Sequence, residues 1–268
     1  MFGQHIIILS FCLATPLQLA GRFHQVGGRL HQVMWGRDLK EMLLDVPDCG
    51  GLRYIPETQV NKLGLRDLGY GEKALLIRQE YTAALHQLTS MSLNDTSGGV
   101  IVTGQPGIGA DSLLIAITLL ISALDSTKAN PVFFFYVLLC RLCECKPTAL
   151  DLESTFLLFD NTGVQLHDAG PAGHFSLEKG VWALTDSSAN KQPNRAFYRA
   201  GQINAAWVVK ATLPEREQWY QWEKELKMYH FVMNWLTSDE LRALGFVFDC
   251  IRFIFSELIS QHHTWSRC

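Results

Sequence analysis

Charge is what this sequence has least of. Asp, Glu, Lys and Arg make up 18% of the 268 residues, below the usual ~25% of a soluble domain. The balance of 23 basic against 26 acidic residues leaves −3. No basic excess is present to hold a nucleic-acid backbone by bulk electrostatics. A disulfide framework is missing too. Seven cysteines are an odd number without small-domain spacing, which favours an intracellular, reducing compartment, cytoplasm or nucleus. A membrane-length apolar run is absent as well. Leu113–Leu124 spans about 12 residues against the ~20 of a spanning helix, and Asp125 and Lys128 close it. Ile6–Leu13 has the apolar character of a signal-peptide core. No Lys or Arg precedes it, the first being Arg22, so secretion is the less favoured reading.

What is present is apolar: 48% of the chain, enough for a sizeable core and too much for a disordered chain. Residues 1–50 read as an irregular extension, because Gly21, Gly27, Gly28, Gly36, Gly50 and Gly51 interrupt every pattern. Leu75, Leu76, Gln79, Ala83 and Leu85–Leu88 predict an amphipathic helix over Glu72–Met91. A polar loop, Asn94–Gly99, leads into the β-branched run Val100–Thr103, a strand of the fully buried kind. Alternating strand and helix segments after residue 100, with no internal repeat, predict an α/β fold.

That strand runs into Gly104-Gln105-Pro106-Gly107-Ile108-Gly109. Strand, glycine-rich turn and apolar helix form the setting of a phosphate loop. There, backbone N–H groups converge on an anion and the helix adds its positive end. Gly104 and Gly109 match the two glycines of G-x-x-x-x-G-K-[ST]. Ala110 takes the lysine position and Asp111 the hydroxyl position, with Ser112 one place late. The lysine neutralises phosphate and the hydroxyl holds Mg²⁺, so an aspartate here repels what the loop would bind. Two apolar segments, Leu113–Leu124 and Val132–Cys143, then follow where a βαβ unit needs one crossover helix. The preferred reading is a foreign stretch of about 20 residues beginning near Ala110, as a retained intron would give. The alternative is a helical hairpin.

GLRDLGYGEKALLIRQEYTAALHQL, GGVIVTGQPGIG, FFFYVLLCRLCECKPTAL, FLLFDNTGVQLHD, VWALTDSS and WVVKATLP together resemble a fungal group of P-loop proteins of Crinkler-like or retrotransposon-hot-spot-like type, over about residues 52–245. The resemblance implies a P-loop NTPase-type α/β domain, a mostly parallel sheet with flanking helices, that takes ATP and magnesium. Ala110-Asp111 departs from the GQPGIGK[ST] of that group.

Such a site needs an acid at the end of a neighbouring strand to hold the metal's water shell. Asp160 ends Phe156–Phe159 but continues into Asn161-Thr162-Gly163, the signature of a hairpin turn. Asp186 ends Val181–Thr185 and enters a loop, and is the preferred metal-side acid. Ala206–Thr212 reads as another buried strand, and Pro214 as the start of a helix over Glu215–Tyr229. The resemblance gives Thr212 a phosphate-sensing role; a helix-capping hydroxyl is the other reading. It also sets Arg78 near the nucleotide, against a solvated or salt-bridged arginine as the simpler reading.

Other signals point to structure. Cys140 and Cys143 share a helix face but Cys145 does not, and no second pair stands at zinc spacing. Trp219, Trp222, Leu226 and Tyr229 form one helical stripe among glutamates, which suits packing on a sheet better than stacking bases. Thr237-Ser238-Asp239-Glu240 is a capping box for a short helix ended by Gly245. The segment 246–268 is apolar enough to require a cover: the parent domain, a protein partner, or a C-terminal module missing from a truncated chain.

The expected organisation is an extension over 1–50, a P-loop NTPase-like domain over 51–245 and the apolar segment. The expected function is nucleotide binding through Gly104, Gln105, Pro106, Gly107, Ile108, Gly109, Ala110, Asp111, Ser112 and Thr212, with Asp186 at the metal and hydrolysis impaired. A non-catalytic protein-interaction module on the same scaffold is the alternative. Neither a nucleic-acid nor a membrane partner is expected.

Overall fold

The computed structural model describes residues 16–68, 74–94, 98–104, 131–152, 155–168, 177–186, 195–203, 205–212, 219–234 and 237–247. Its first element corrects the expectation of an irregular start. Helix α1 (Pro16–Met34) runs through three of the glycines. Phe23, Val26, Gly27, Leu30 and Met34 recur at helical spacing and turn inward. Glycine 27 is needed there. A Cβ would lie 3.0 Å from side-chain atoms of both Leu157 and Val164, so its absence lets the helix approach the sheet closely.

A small antiparallel sheet follows: β1 (Leu44–Asp45), β2 (Arg53–Ile55) and β3 (Leu75–Ile77), with α2 (Glu57–Leu63) between the second and third strands. The predicted helix from Glu72 therefore begins later, as α3 (Gln79–Asn94). Leu75, Leu76 and Ile77 are all buried, and they pair with Ile55, Tyr54 and Arg53. Long-range pairing overrode a helical pattern that was valid only from residue 79 onward.

The main sheet has seven strands. In chain order they are β4 (Gly99–Gly104), β5 (Thr148–Leu152), β6 (Thr155–Asp160), β7 (Gly163–Asp168), β8 (Val181–Asp186), β9 (Ala206–Thr212) and β10 (Tyr229–Met233). In space the order is β10-β4-β9-β8-β5-β6-β7. The first five are mutually parallel, and β6 and β7 continue the sheet as an antiparallel hairpin. The fold is thus mixed α/β with a mostly parallel sheet. At the start of β4, Gly99 has φ +147°, and a Cβ there would fall 1.9 Å from the Val208 carbonyl oxygen on β9. Only glycine allows the two central strands to pair at that point.

Helix α4 (Pro131–Cys143) starts on a proline, whose missing N–H costs nothing at a first turn. It is apolar almost all round, and Phe133–Leu139 is buried without a break. With α1 and α3 it covers one face of the sheet, where the larger core lies. The opposite face carries α5 (Arg195–Gln202) and α6 (Tyr220–Leu226) over a smaller core built on Phe156, Phe197, Trp222 and Leu226. The helix predicted over Glu215–Tyr229 is shorter than expected. It ends at Leu226, Lys227 turns left-handed at φ 52°, and Tyr229 opens the edge strand β10. The last helix, α7 (Ser238–Val247), passes through Gly245 rather than ending there, and packs Ala243 and Leu244 against Leu76 of the small sheet. Its capping box forms as expected: Glu240 Oε2 accepts from the Thr237 N–H at 2.8 Å, and Thr237 Oγ1 from the Glu240 N–H at 3.2 Å.

Candidate functional site

All five parallel strands end at one edge of the sheet. Register places Met233 beside Gly104, Thr103 beside Thr212, and Ala211 beside Asp186. The strand that enters the glycine-rich run is therefore central, flanked by β10 and β9. Helix α4, in the connection out of β4, lies on one face, whereas α6, in the connection out of β9, lies on the other. Neighbouring strands whose crossover helices lie on opposite faces mark a switch point of the sheet, between β4 and β9. In open α/β sheets that switch point is where ligands bind.

Of the residues singled out from sequence, Gly104 ends β4 and Thr212 ends β9, 1% exposed. Asp186 ends β8 at the same edge. It is not on a strand adjacent to β4, as expected: β9 intervenes. Sequence order cannot show this, because the connection into β9 inserts that strand between two that precede it in the chain. Gln105, Pro106, Gly107, Ile108, Gly109, Ala110, Asp111 and Ser112 lie outside the described residues, as do Leu113–Leu124 and the extra stretch assigned to an insertion. The second apolar segment, Val132–Cys143, is the described crossover helix.

Asp160 is a turn residue. Its Oδ1 accepts from the Thr162 N–H at 2.7 Å and the Thr162 hydroxyl at 2.6 Å, in the β6–β7 hairpin far from Gly104. Arg78 is ion-paired with Glu240 at 3.1 Å, in line with the simpler reading. Trp222 is 3% exposed, on the second core, whereas Trp219 is half-buried edge-on to His230, 4.2 Å between ring centroids. Among the described residues no group of His, Cys, Asp or Glu has the geometry of a metal site, and no helix is long and apolar enough to cross a membrane.

Around Thr212 the edge also holds groups that sequence reasoning missed. On the α5–α6 face, strand alternation lines up Thr103, Lys210, Thr212, Thr185 and Asp151. Thr185 donates to Asp151 Oδ2 at 2.7 Å. Lys210, 3% exposed, holds its Nζ 4.3 Å from the Trp222 ring centroid, a cation–π contact in a water-poor setting. Two signals could have found these residues. Asp151 is an acid one residue before the end of its strand, much as Asp186 ends its own, and Lys210 is a lone charge inside the buried run Ala206–Thr212.

The cysteines carry no reactive chemistry on α4. Burial pushes the Cys140 thiol up to about 12 and the Cys143 thiol up to about 11, so both stay protonated at neutral pH. No protein-family model, no curated protein and no solved structure matches this chain.

Proposed function

We propose that the carboxyl edge of β4 and β9 binds the phosphates of a nucleotide, ATP with magnesium, as a P-loop domain of Crinkler-like type, and that hydrolysis is impaired. The observation that carries this reading is positional. The glycine-rich run leaves a central parallel strand at the switch point of the sheet, and Thr212 and Asp186 end strands at that same edge. Gly104–Gly109 supplies backbone N–H donors, Thr212 a hydroxyl beside the phosphates, and Asp186 a carboxylate for the metal's water shell.

The donor set fits only in part. A methyl group at Ala110 and a carboxylate at Asp111 stand where an ammonium and a hydroxyl are needed. At about 4 Å and an effective dielectric near 20, one unit charge is worth on the order of 4 kcal/mol before solvent reduces it. Losing one positive charge and gaining a negative one therefore lowers affinity steeply. This same departure favours a second reading, a protein-interaction module that keeps the scaffold and has lost the ligand, with the apolar 246–268 segment as its contact.

Thermal unfolding with ATP and magnesium, on the natural chain and on a restored loop, tests this reading. A ligand at 100 times its Kd stabilises by about 2.7 kcal/mol, and a scaffold gains nothing. The natural chain is expected to show a small gain or none, and no measurable hydrolysis. Ala110→Lys with Asp111→Thr should restore magnesium-dependent binding, and Asp186→Asn in that background should remove its magnesium dependence. If binding returns only after residues 110–127 are also deleted, the extra stretch is foreign to the fold. Loss of the whole proposal would follow from a restored loop that binds no nucleotide with or without that deletion.

A further inference from the structure

Arg78 stands between β3 and α3, only 8% exposed. Its Nε donates to Glu240 Oε1 at 3.1 Å, its Nη2 to the Asn234 carbonyl at 2.9 Å, and its guanidinium lies 5.4 Å from the Tyr81 ring centroid. Two residues on, the Glu80 carboxylate accepts from the Asn234 backbone N–H at 3.3 Å and from its side-chain amide at 3.2 Å. Glu240, 3% exposed, uses its second oxygen to cap α7 through Thr237. Both backbone groups of Asn234 are thus held from the β3–α3 junction. Asn234 is the first residue past β10, and its neighbour Met233 is in register with Gly104, where the chain enters the glycine-rich run.

A buried ion pair is a weak device for stability. Desolvation cancels much of the attraction, and a well-packed apolar pair often does as well or better. What an arginine fork supplies is geometry: one rigid plane joins a carboxylate and a carbonyl at fixed spacing. We infer that Arg78, Glu80 and Glu240 form a clamp on Asn234 that fixes the carboxyl end of β10 against β4, and with it the position of Gly104, and couples both to the seating of α7. These are positioning residues; none of them is assigned to touch a ligand. The nucleotide arm of the test below rests on the proposed function, and the hydrogen-exchange arm does not.

The experiment compares the full chain with Arg78→Met, Glu240→Leu and the double variant. Each single change leaves a buried partner uncompensated and destabilises the protein. The double change supplies an apolar pair and should return the unfolding equilibrium constant to within about tenfold of the natural chain. Amide hydrogen exchange then separates position from stability. In the double variant the amides of Val232–Asn234, Thr103 and Gly104 should still exchange at least about tenfold faster than in the natural chain, with β6 and β7 unchanged. Natural exchange at those amides, or acceleration confined to α7, overturns the clamp. Should the double variant not fold, Arg78→Lys serves. An ammonium can face Glu240 but cannot hold carboxylate and carbonyl in one plane, so the same local acceleration is expected, and its absence overturns the inference. In the Ala110→Lys/Asp111→Thr background, Arg78→Lys should weaken magnesium-ATP binding about tenfold, or 1.4 kcal/mol. Unchanged affinity overturns the coupling to the glycine-rich run. A background that binds no ATP overturns the nucleotide reading alone, and the exchange result still decides the clamp.

Discussion

The two faces of the main sheet are built differently. Against α1, α3 and α4 the sheet presents Val100, Val102, Leu150, Leu157, Trp182, Leu184, Trp207 and Val209, an apolar set under an apolar helix. Against α5 and α6 the same strands begin apolar and turn polar toward their carboxyl ends, with Thr103, Thr185, Lys210, Thr212 and Asp151 in a row. A fold needs only the first kind of face. Burying hydroxyls and an ammonium costs free energy unless each is satisfied. Here Thr185 and Asp151 satisfy each other and Lys210 faces Trp222, so the polar row is held in place at one sheet edge, where the other face is held by apolar packing.

That contrast can be broken most forcefully by truncating one aromatic side chain per face. Phe133→Ala beneath α4 and Trp222→Ala beneath α6 should each cost about 3–5 kcal/mol, read as a shift of the urea midpoint. The Trp222 change should fall at the upper end, because it also removes the ring that Lys210 faces. A loss under about 0.5 kcal/mol for Trp222→Ala would make that face an exposed surface rather than a core. Next in size, Gly27→Val should destabilise by about 1–3 kcal/mol through overpacking against Leu157 and Val164, with α1 loosening first in hydrogen exchange. If the variant matches the natural chain in both, α1 does not pack on the hairpin as described. A smaller effect sharpens the polar side. Thr185→Val deletes the donor to Asp151 and should cost about 1 kcal/mol, whereas a stabilised variant would mean that the row is merely tolerated.

The smallest effect involves no stability at all. Alkylation by iodoacetamide at pH 8, mapped by mass spectrometry, should label exposed Cys145 well before Cys143, and Cys140 last. Raised thiol values give the sign: labelling of the two partly buried cysteines keeps rising with pH until about 11–12, where their thiolates predominate. Early modification of Cys140 would show that α4 is not seated in the core.

Strand chemistry was legible along much of the chain. The β-branched run Val100–Thr103, the buried Val181–Thr185 and Ala206–Thr212, and the turn at Asn161-Thr162-Gly163 are local patterns, and each forms the expected element. Local patterns failed where distant residues decided the outcome. Glycines concealed α1, although one of them, Gly27, serves a close approach to a hairpin more than a hundred residues away, and Leu75–Ile77 reads as helix until Arg53–Ile55 is available to pair with it. Tyr229 completed a helical stripe with Trp219, Trp222 and Leu226, yet pairing with β4 drew it into the sheet.

By itself the sequence determined the chemistry at hand: a glycine-rich run after a buried strand, an acid at the end of another, a hydroxyl at the end of a third, and no lysine at position 110. Tertiary structure alone decided which of these share an edge. Parallel strands must be joined by crossovers, so neighbours in the sheet need not be neighbours in the chain. That rule set β9 between Gly104 and Asp186, sent Asp160 to the antiparallel end, and brought Arg78, Asn234 and Glu240 together from three separate parts of the chain.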